Sequence, residues 1–131
     1  MAEDSGQTVL PALIENILPI VPNLIAQLKE GIDVLEVGFG RGKVLNLLAK
    51  AFPNSRFTGY EISEEGIRYA RAQAVAEGTT NIRFELKDAE SFDDTNSFDL
   101  ACTFDAVHDQ ANPGQLLRNI QRALRPGGVY L

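Results

Sequence analysis

From Ile32 onward the chain alternates short aliphatic runs with segments of helical periodicity, and this alternation limits the possible folds more than any other feature. Residues 32–37 are mostly aliphatic and lie between Gly31 and Gly38, which marks a buried strand. Val44, Leu47, Leu48 and Ala51 then recur at helical spacing until Pro53 stops the pattern. Residues 56–61 read as a second strand after the turn-forming Asn54-Ser55. Ser63 is placed to cap the next helix, with Glu64 and Glu65 in its first turn, where the helix dipole favours anions. Ile67, Ala70 and Ala74 form its inner face and Gly78 ends it. In residues 81–86 the apolar Ile82, Phe84 and Leu86 alternate with Arg83 and Glu85, which suits a strand with one wet face at a sheet edge. Residues 98–104 are a fourth apolar strand. Asn112 and Pro113 open a last helix with the stripe Leu116, Leu117, Ile120, Ala123 and Leu124. Arg122 and Arg125 sit at its negative end, Pro126-Gly127-Gly128 terminates it, and residues 129–131 begin a fifth strand. Strands separated by helices require right-handed crossovers, so the expected class is α/β: a Rossmann-like open parallel sheet with helices on both faces.

The chain's 131 residues make one domain, not two. Its 12 basic and 18 acidic residues leave a net charge of −6, which opposes non-specific binding to a phosphate backbone and argues against nucleic acid as a partner. One cysteine, Cys102, allows neither an internal disulfide nor a cysteine zinc site, so no metal is expected and a reducing, cytoplasmic setting is. The acidic start Met1-Ala2-Glu3-Asp4 is unlike a secretory signal. Residues 9–28 are rich in apolar side chains but carry Glu15, Asn16, Asn23 and Gln27 and are broken by Pro11, Pro19 and Pro22. Two short amphipathic helices, about 11–18 and 22–29, fit this better than a membrane span. Residues 1–30 are therefore expected as a helical segment packed on a domain at 31–131.

In an open parallel sheet, ligands bind beyond the carboxyl ends of the strands, so the residues that follow each strand carry the chemistry. After strand 1 comes Glu36-Val37-Gly38-Phe39-Gly40-Arg41-Gly42, where glycine permits a tight turn and close approach of a ligand. Its glycines at 38, 40 and 42, with Lys43 next, depart from the dinucleotide spacing. Glu61 ends strand 2, where a carboxylate can accept both hydroxyl hydrogens of a ribose. Asp88-Ala89 follows strand 3 and can read an adenine edge. After strand 4 comes Phe104-Asp105-Ala106-Val107-His108-Asp109. Between residues 88 and 117 there are seven acids and no Lys or Arg, a stretch that either draws a cationic ligand to the crevice or keeps the surface soluble. His108, the sole histidine, is either a base or a loop residue orienting its neighbours. Cys102, within strand 4, reads as a small core residue, and Arg41 either meets a ligand carboxylate or is solvated.

Taken together, Glu36-Val37-Gly38-Phe39-Gly40-Arg41-Gly42, Tyr60-Glu61-Ile62, Asp88-Ala89-Glu90 and Leu124-Arg125-Pro126-Gly127-Gly128 make the chain from about Ile32 onward resemble the class I S-adenosylmethionine-dependent methyltransferases. The resemblance implies S-adenosylmethionine as cofactor, with Glu36, Gly38, Gly40 and Gly42 lining its methionine part. It implies Glu61 on the ribose, Ile62 against the adenine face, Asp88 and Ala89 at the adenine edge, and Phe104 beside the cofactor. Residues 105–110 resemble the acceptor-side segment of members that act on small molecules. The reaction such a site needs is attack by an acceptor nucleophile on the methyl carbon, in line with the leaving sulfur. The family's sheet has order 3-2-1-4-5 and ordinarily seven strands, so a chain ending in strand 5 lacks the C-terminal part. Either it belongs to a longer enzyme, or it completes the sheet by self-association through the strand 5 edge. Three functions follow: methyl transfer to a small-molecule acceptor, a non-catalytic S-adenosylmethionine-binding module acting through a partner, or a nicotinamide-dependent oxidoreductase, which the glycine spacing disfavours.

Overall fold

The computed structural model describes residues 21–103 and 112–131. The sheet has five parallel strands, β1 (Asp33–Val37), β2 (Arg56–Glu61), β3 (Ile82–Leu86), β4 (Phe98–Cys102) and β5 (Leu124–Tyr130), in the order β3-β2-β1-β4-β5. Helices α1 (Leu24–Glu30), α2 (Lys43–Ala51), α3 (Glu64–Glu77) and α4 (Pro113–Ala123) join and cover the strands. The sheet order and class agree with the expectation, and β3 is indeed an edge.

Alternate residues of β1 divide the core between two faces. Val34 packs with Leu24, Leu28, Leu45, Leu48, Ile67 and Ala70 from α1, α2 and α3. Leu35 and Val37 pack with Tyr60, Phe92, Leu116, Ile120 and Ala123, on the side of α4. α1 covers most of the expected 22–29 helix, while the one expected near 11–18 falls outside the described residues.

The helix ends follow their local chemistry. Ser63 accepts from the Gly66 N–H at 3.1 Å, and Asn112 accepts from that of Gln115 at 3.1 Å. Gly78 closes α3 in the left-handed conformation at φ 69°, donating to Ala74 and Val75. The end of α4 differs from expectation. The helix stops at Ala123, and β5 begins at Leu124 rather than near Val129. Leu124 pairs with Phe98 and Val129 with Leu100, so residues 125–128 form an irregularity within the strand, where Pro126 cannot donate to a ladder. Arg125, expected at the negative end of the helix, turns instead to the amino ends of the strands. There it reaches Asp99 at 2.7 Å and Asp33 at 3.0 Å, while Arg56 holds the other Asp33 oxygen at 2.5 Å.

This cluster ties β1, β2, β4 and the start of β5 together. Partial burial pushes the Asp33 carboxyl upward, but the hydrogen bonds and charges of Arg56 and Arg125 prevail and hold it below its ordinary value. A depressed carboxyl contributes stability above its unfolded pKa and loses that contribution as pH falls through the folded value. We therefore expect urea-unfolding stability to decline below about pH 4, with a shallower decline in Asp33→Asn. Arg125→Ala should cost about 1 kcal/mol at pH 7, a modest figure because the guanidinium is partly exposed. An acid limb of equal steepness in Asp33→Asn and wild type would remove this role.

Candidate functional site

The glycine turn leaves the carboxyl end of β1 with Gly38, Gly40 and Gly42 all at positive φ, at 71°, 64° and 76°. At Gly40 an added Cβ would meet nothing within 4 Å, so conformation is what demands glycine there and open space adjoins it. Gly42 is crowded instead, an added Cβ falling 2.8 Å from that of Ala70 on α3. Gly38 donates to the Tyr60 carbonyl at 2.7 Å, which fastens the turn to the end of β2.

Glu61, the last residue of β2, joins the turn directly. Its Oε1 accepts from the Gly40 N–H at 2.8 Å, and its Oε2 accepts from the N–H groups of Ile62 and Ser63, each at 3.0 Å. The carboxylate thus links the glycine turn to the start of α3, where the helix dipole also favours negative charge. Beside it, Ile62 is 68% exposed, and Leu86, in register with Glu61, is 55% exposed. Glu36 is buried at the end of β1, between Gly59 of β2 and Cys102 of β4 in register.

Asp88 and Ala89 stand at the start of the β3–β4 connection. Asp88 Oδ1 accepts from the Glu90 N–H at 2.9 Å, folding the turn on itself. Ala89 is buried in the α4-side core and its carbonyl accepts from Asn119 Nδ2 at 3.1 Å. Arg41 is exposed and stands over the Tyr69 ring, 5.1 Å from its centre. Cys102 is a core residue as expected: burial pushes its thiol upward and the Glu36 carboxylate adds to the shift. Phe104 and residues 105–110, His108 included, lie outside the described residues.

The acidic stretch is more dispersed than its sequence suggests. Asp94 accepts from the Tyr60 hydroxyl at 2.9 Å and lies 3.8 Å from Lys87, and Asp99 belongs to the Arg125 cluster at the opposite end of the sheet. These two acids are engaged away from the glycine turn. A cavity of about 400 Å³ also lies at that opposite end, between Asp33, Arg56, Arg83 and Ser97, away from the glycine turn and Glu61.

Comparison with known proteins bears on this arrangement. A family model described as a methyltransferase domain matches residues 28–131. The chain belongs to the class I S-adenosylmethionine-dependent methyltransferase family. It is 32% identical over 102 residues to a fatty-acid O-methyltransferase of Mycolicibacterium smegmatis, covering 78% of this chain and 36% of that protein. A tRNA (guanine-N(7)-)-methyltransferase of Shewanella pealeana is 41% identical over 61 residues, 47% of this chain and 26% of its own length. Coclaurine N-methyltransferase, solved with N-methylheliamine and SAH, shares the fold at a TM-score of 0.80 and 20% identity over 99% of this chain and 36% of that one. The chain therefore spans about a third of the length of the curated relative that it matches over most of its own residues. Among the described residues no helix is long and apolar enough to cross a membrane, and no cluster of ligating side chains fits a metal.

Within the methyltransferase fold, three side chains hold the turns, and of these the sequence pointed only to Arg122, as a cation at a helix end. Asn46 on α2 donates to the carbonyl of Gly42, Asn119 on α4 donates to that of Ala89, and Arg122 donates to that of Phe92. A polar residue at an inward helical position, as with Asn119 one place before Ile120, is the signal that finds them.

Gly66, in the first turn of α3, shows how tightly this helix meets the glycine turn: an added Cβ would lie 2.4 Å from the Gly40 carbonyl oxygen. Gly→Ala in a helix ordinarily gains up to about 1 kcal/mol. Gly66→Ala should instead lose about 1–3 kcal/mol, because backbone must move. Urea denaturation measures this, and a variant as stable as the wild type would show that turn and helix part freely.

Proposed function

We propose that this chain binds S-adenosylmethionine across the carboxyl ends of β1, β2 and β3 and supports transfer of its methyl group to a small-molecule acceptor. The observation that supports the reading is the 2.8 Å contact between Glu61 and the Gly40 N–H, which joins the strand 2 carboxylate to the glycine turn.

The residues suit the group. An ionised carboxylate has about four acceptor sites, and three backbone N–H groups use three of them, so Glu61 retains capacity for a ribose hydroxyl. Ile62 offers an apolar face to adenine, and the Asp88-Ala89 turn stands one strand further on for its edge. Open space over Gly40 leaves room for the methionine part against bare backbone, and Gly38, Gly42 and the buried Glu36 are the neighbouring residues assigned to it. S-adenosylmethionine, when bound, supplies a methyl group on a positively charged sulfur. What the chain contributes is alignment, which can account for roughly 7–11 kcal/mol of a barrier. Relatives named for fatty-acid and ubiquinone-pathway O-methylation support a small acceptor, as does the net charge of −6.

Calorimetry with S-adenosylhomocysteine should give saturable binding at one site per chain. Glu61→Ala should weaken it by about 1–3 kcal/mol, the cost of losing charged hydrogen bonds. Saturable binding of NAD in place of S-adenosylhomocysteine would overturn the proposal. Release of S-adenosylhomocysteine in the presence of phenols, amines or fatty acids tests transfer itself, and binding without release with every acceptor would reduce the chain to a binding module.

A further inference from the structure

Asn46 lies on α2 at 2% exposure, four residues beyond the last glycine of the turn. Its amide nitrogen donates to the Gly42 carbonyl at 3.1 Å and reaches that of Ala70, on α3, at 3.4 Å. Both neighbours are acceptors, so only the NH2 end of the amide can face them. Oδ1 is left in the interior without a hydrogen-bond donor.

Stability gives little reason for this arrangement. The Gly42 carbonyl already accepts from the Asn46 backbone N–H at 2.9 Å, and the Ala70 carbonyl is an interior carbonyl of α3. Neither oxygen needs the side chain, whereas a buried acceptor with no donor opposes folding. What the side chain adds is a brace between two elements. Gly42 stands at φ 76°, at the joint between the turn and α2, and it presses so closely on Ala70 that a Cβ would collide there. α3 begins just after Glu61, whose carboxylate holds Gly40. The turn is thus fastened to the β2–α3 unit at Gly40 by Glu61 and at Gly42 by Asn46.

We propose that Asn46 is a positioning residue for cofactor binding: it fixes the glycine turn against α3, so that the Gly40 backbone and the Glu61 carboxylate meet the ligand as one preset surface. This rests on the cofactor reading above and adds to it a residue buried outside the hollow.

Asn46→Leu keeps the number and branching of side-chain heavy atoms while removing the brace and the unpaired oxygen, and Asn46→Ala removes the amide without adding bulk. In the full chain Asn46→Leu should unfold at the same or a higher urea concentration than wild type, yet bind S-adenosylhomocysteine about tenfold more weakly. Both variants should show faster hydrogen exchange at the amides of Gly40, Arg41 and Gly42, with Val34 and Leu35 unchanged. Leu48→Ala, a core truncation on the same helix, should lower the unfolding midpoint and leave affinity intact. Wild-type affinity together with wild-type exchange in both Asn46 variants would overturn the assignment. So would an affinity loss that Leu48→Ala reproduces at equal destabilisation. Failure of the wild-type chain to bind S-adenosylhomocysteine would overturn the cofactor reading, and the exchange comparison would then show only whether Asn46 fixes the turn against α3.

Discussion

The Glu61 carboxylate is the interaction on which the carboxyl end of the sheet depends. It gathers the N–H groups of Gly40, Ile62 and Ser63, three donors from two segments more than 20 residues apart in sequence. A turn of three left-handed glycines would otherwise be the loosest part of the molecule, since glycine loses the most freedom on ordering. Hydrogen bonds to an ionised acceptor are stronger than neutral ones, and here they also neutralise orphan donors at the start of α3. One side chain therefore ties the turn to the start of a helix. This coupling holds in place a turn whose Gly40 borders open space.

The two ends of the sheet use charge differently. At the amino ends, Asp33, Asp99, Arg56 and Arg125 form a set of ion pairs that joins β1, β2, β4 and β5. At the side of β2, the Tyr60 hydroxyl donates to Asp94 while Lys87 stands 4.7 Å from the ring centre. Burial, Asp94 and Glu85 together push the Tyr60 phenol upward, so it keeps its proton and serves packing. Of the five acids in residues 88–99, Asp94 and Asp99 are taken up by these local pairings. Those two acids accordingly add little to any steering of a cationic ligand, because a paired charge projects little field beyond a Debye length of about 8 Å.

Much of this was readable from residue order. The period of the apolar positions changes from two to 3.6 at each strand–helix boundary, and Ser63, Asn112 and Gly78 mark helix ends by chemistry that acts within a few residues. The position of Glu61 beside the turn followed from the rule that ligands lie beyond strand ends in a parallel sheet. The start of β5 was misjudged because Pro126-Gly127-Gly128 ordinarily stops a helix and resists a strand. Only the tertiary pull of Asp33 and Asp99 on Arg125, together with pairing of Leu124 to Phe98, draws those residues into the sheet. Such pairings join positions 26 and more residues apart, and nothing local encodes them.

The buried asparagines extend the same lesson. By composition an inward Asn on an amphipathic helix lowers the apolar content of its face and looks like noise in the pattern. In the folded chain Asn46 and Asn119 lie on different helices and opposite faces of the sheet, and each donates to backbone in a turn at the carboxyl end. By contrast Ser55, the buried polar residue near the amino end of β2, is paired as both donor and acceptor, with the Leu28 carbonyl and the Ile32 N–H. A helix face made wholly apolar would pack as well or better, but it would remove one tie from each of these turns. The two asparagines inside this methyltransferase core are thus best understood by what lies at the far end of their hydrogen bonds: the turns at the carboxyl end of the sheet, rather than the helices that carry them.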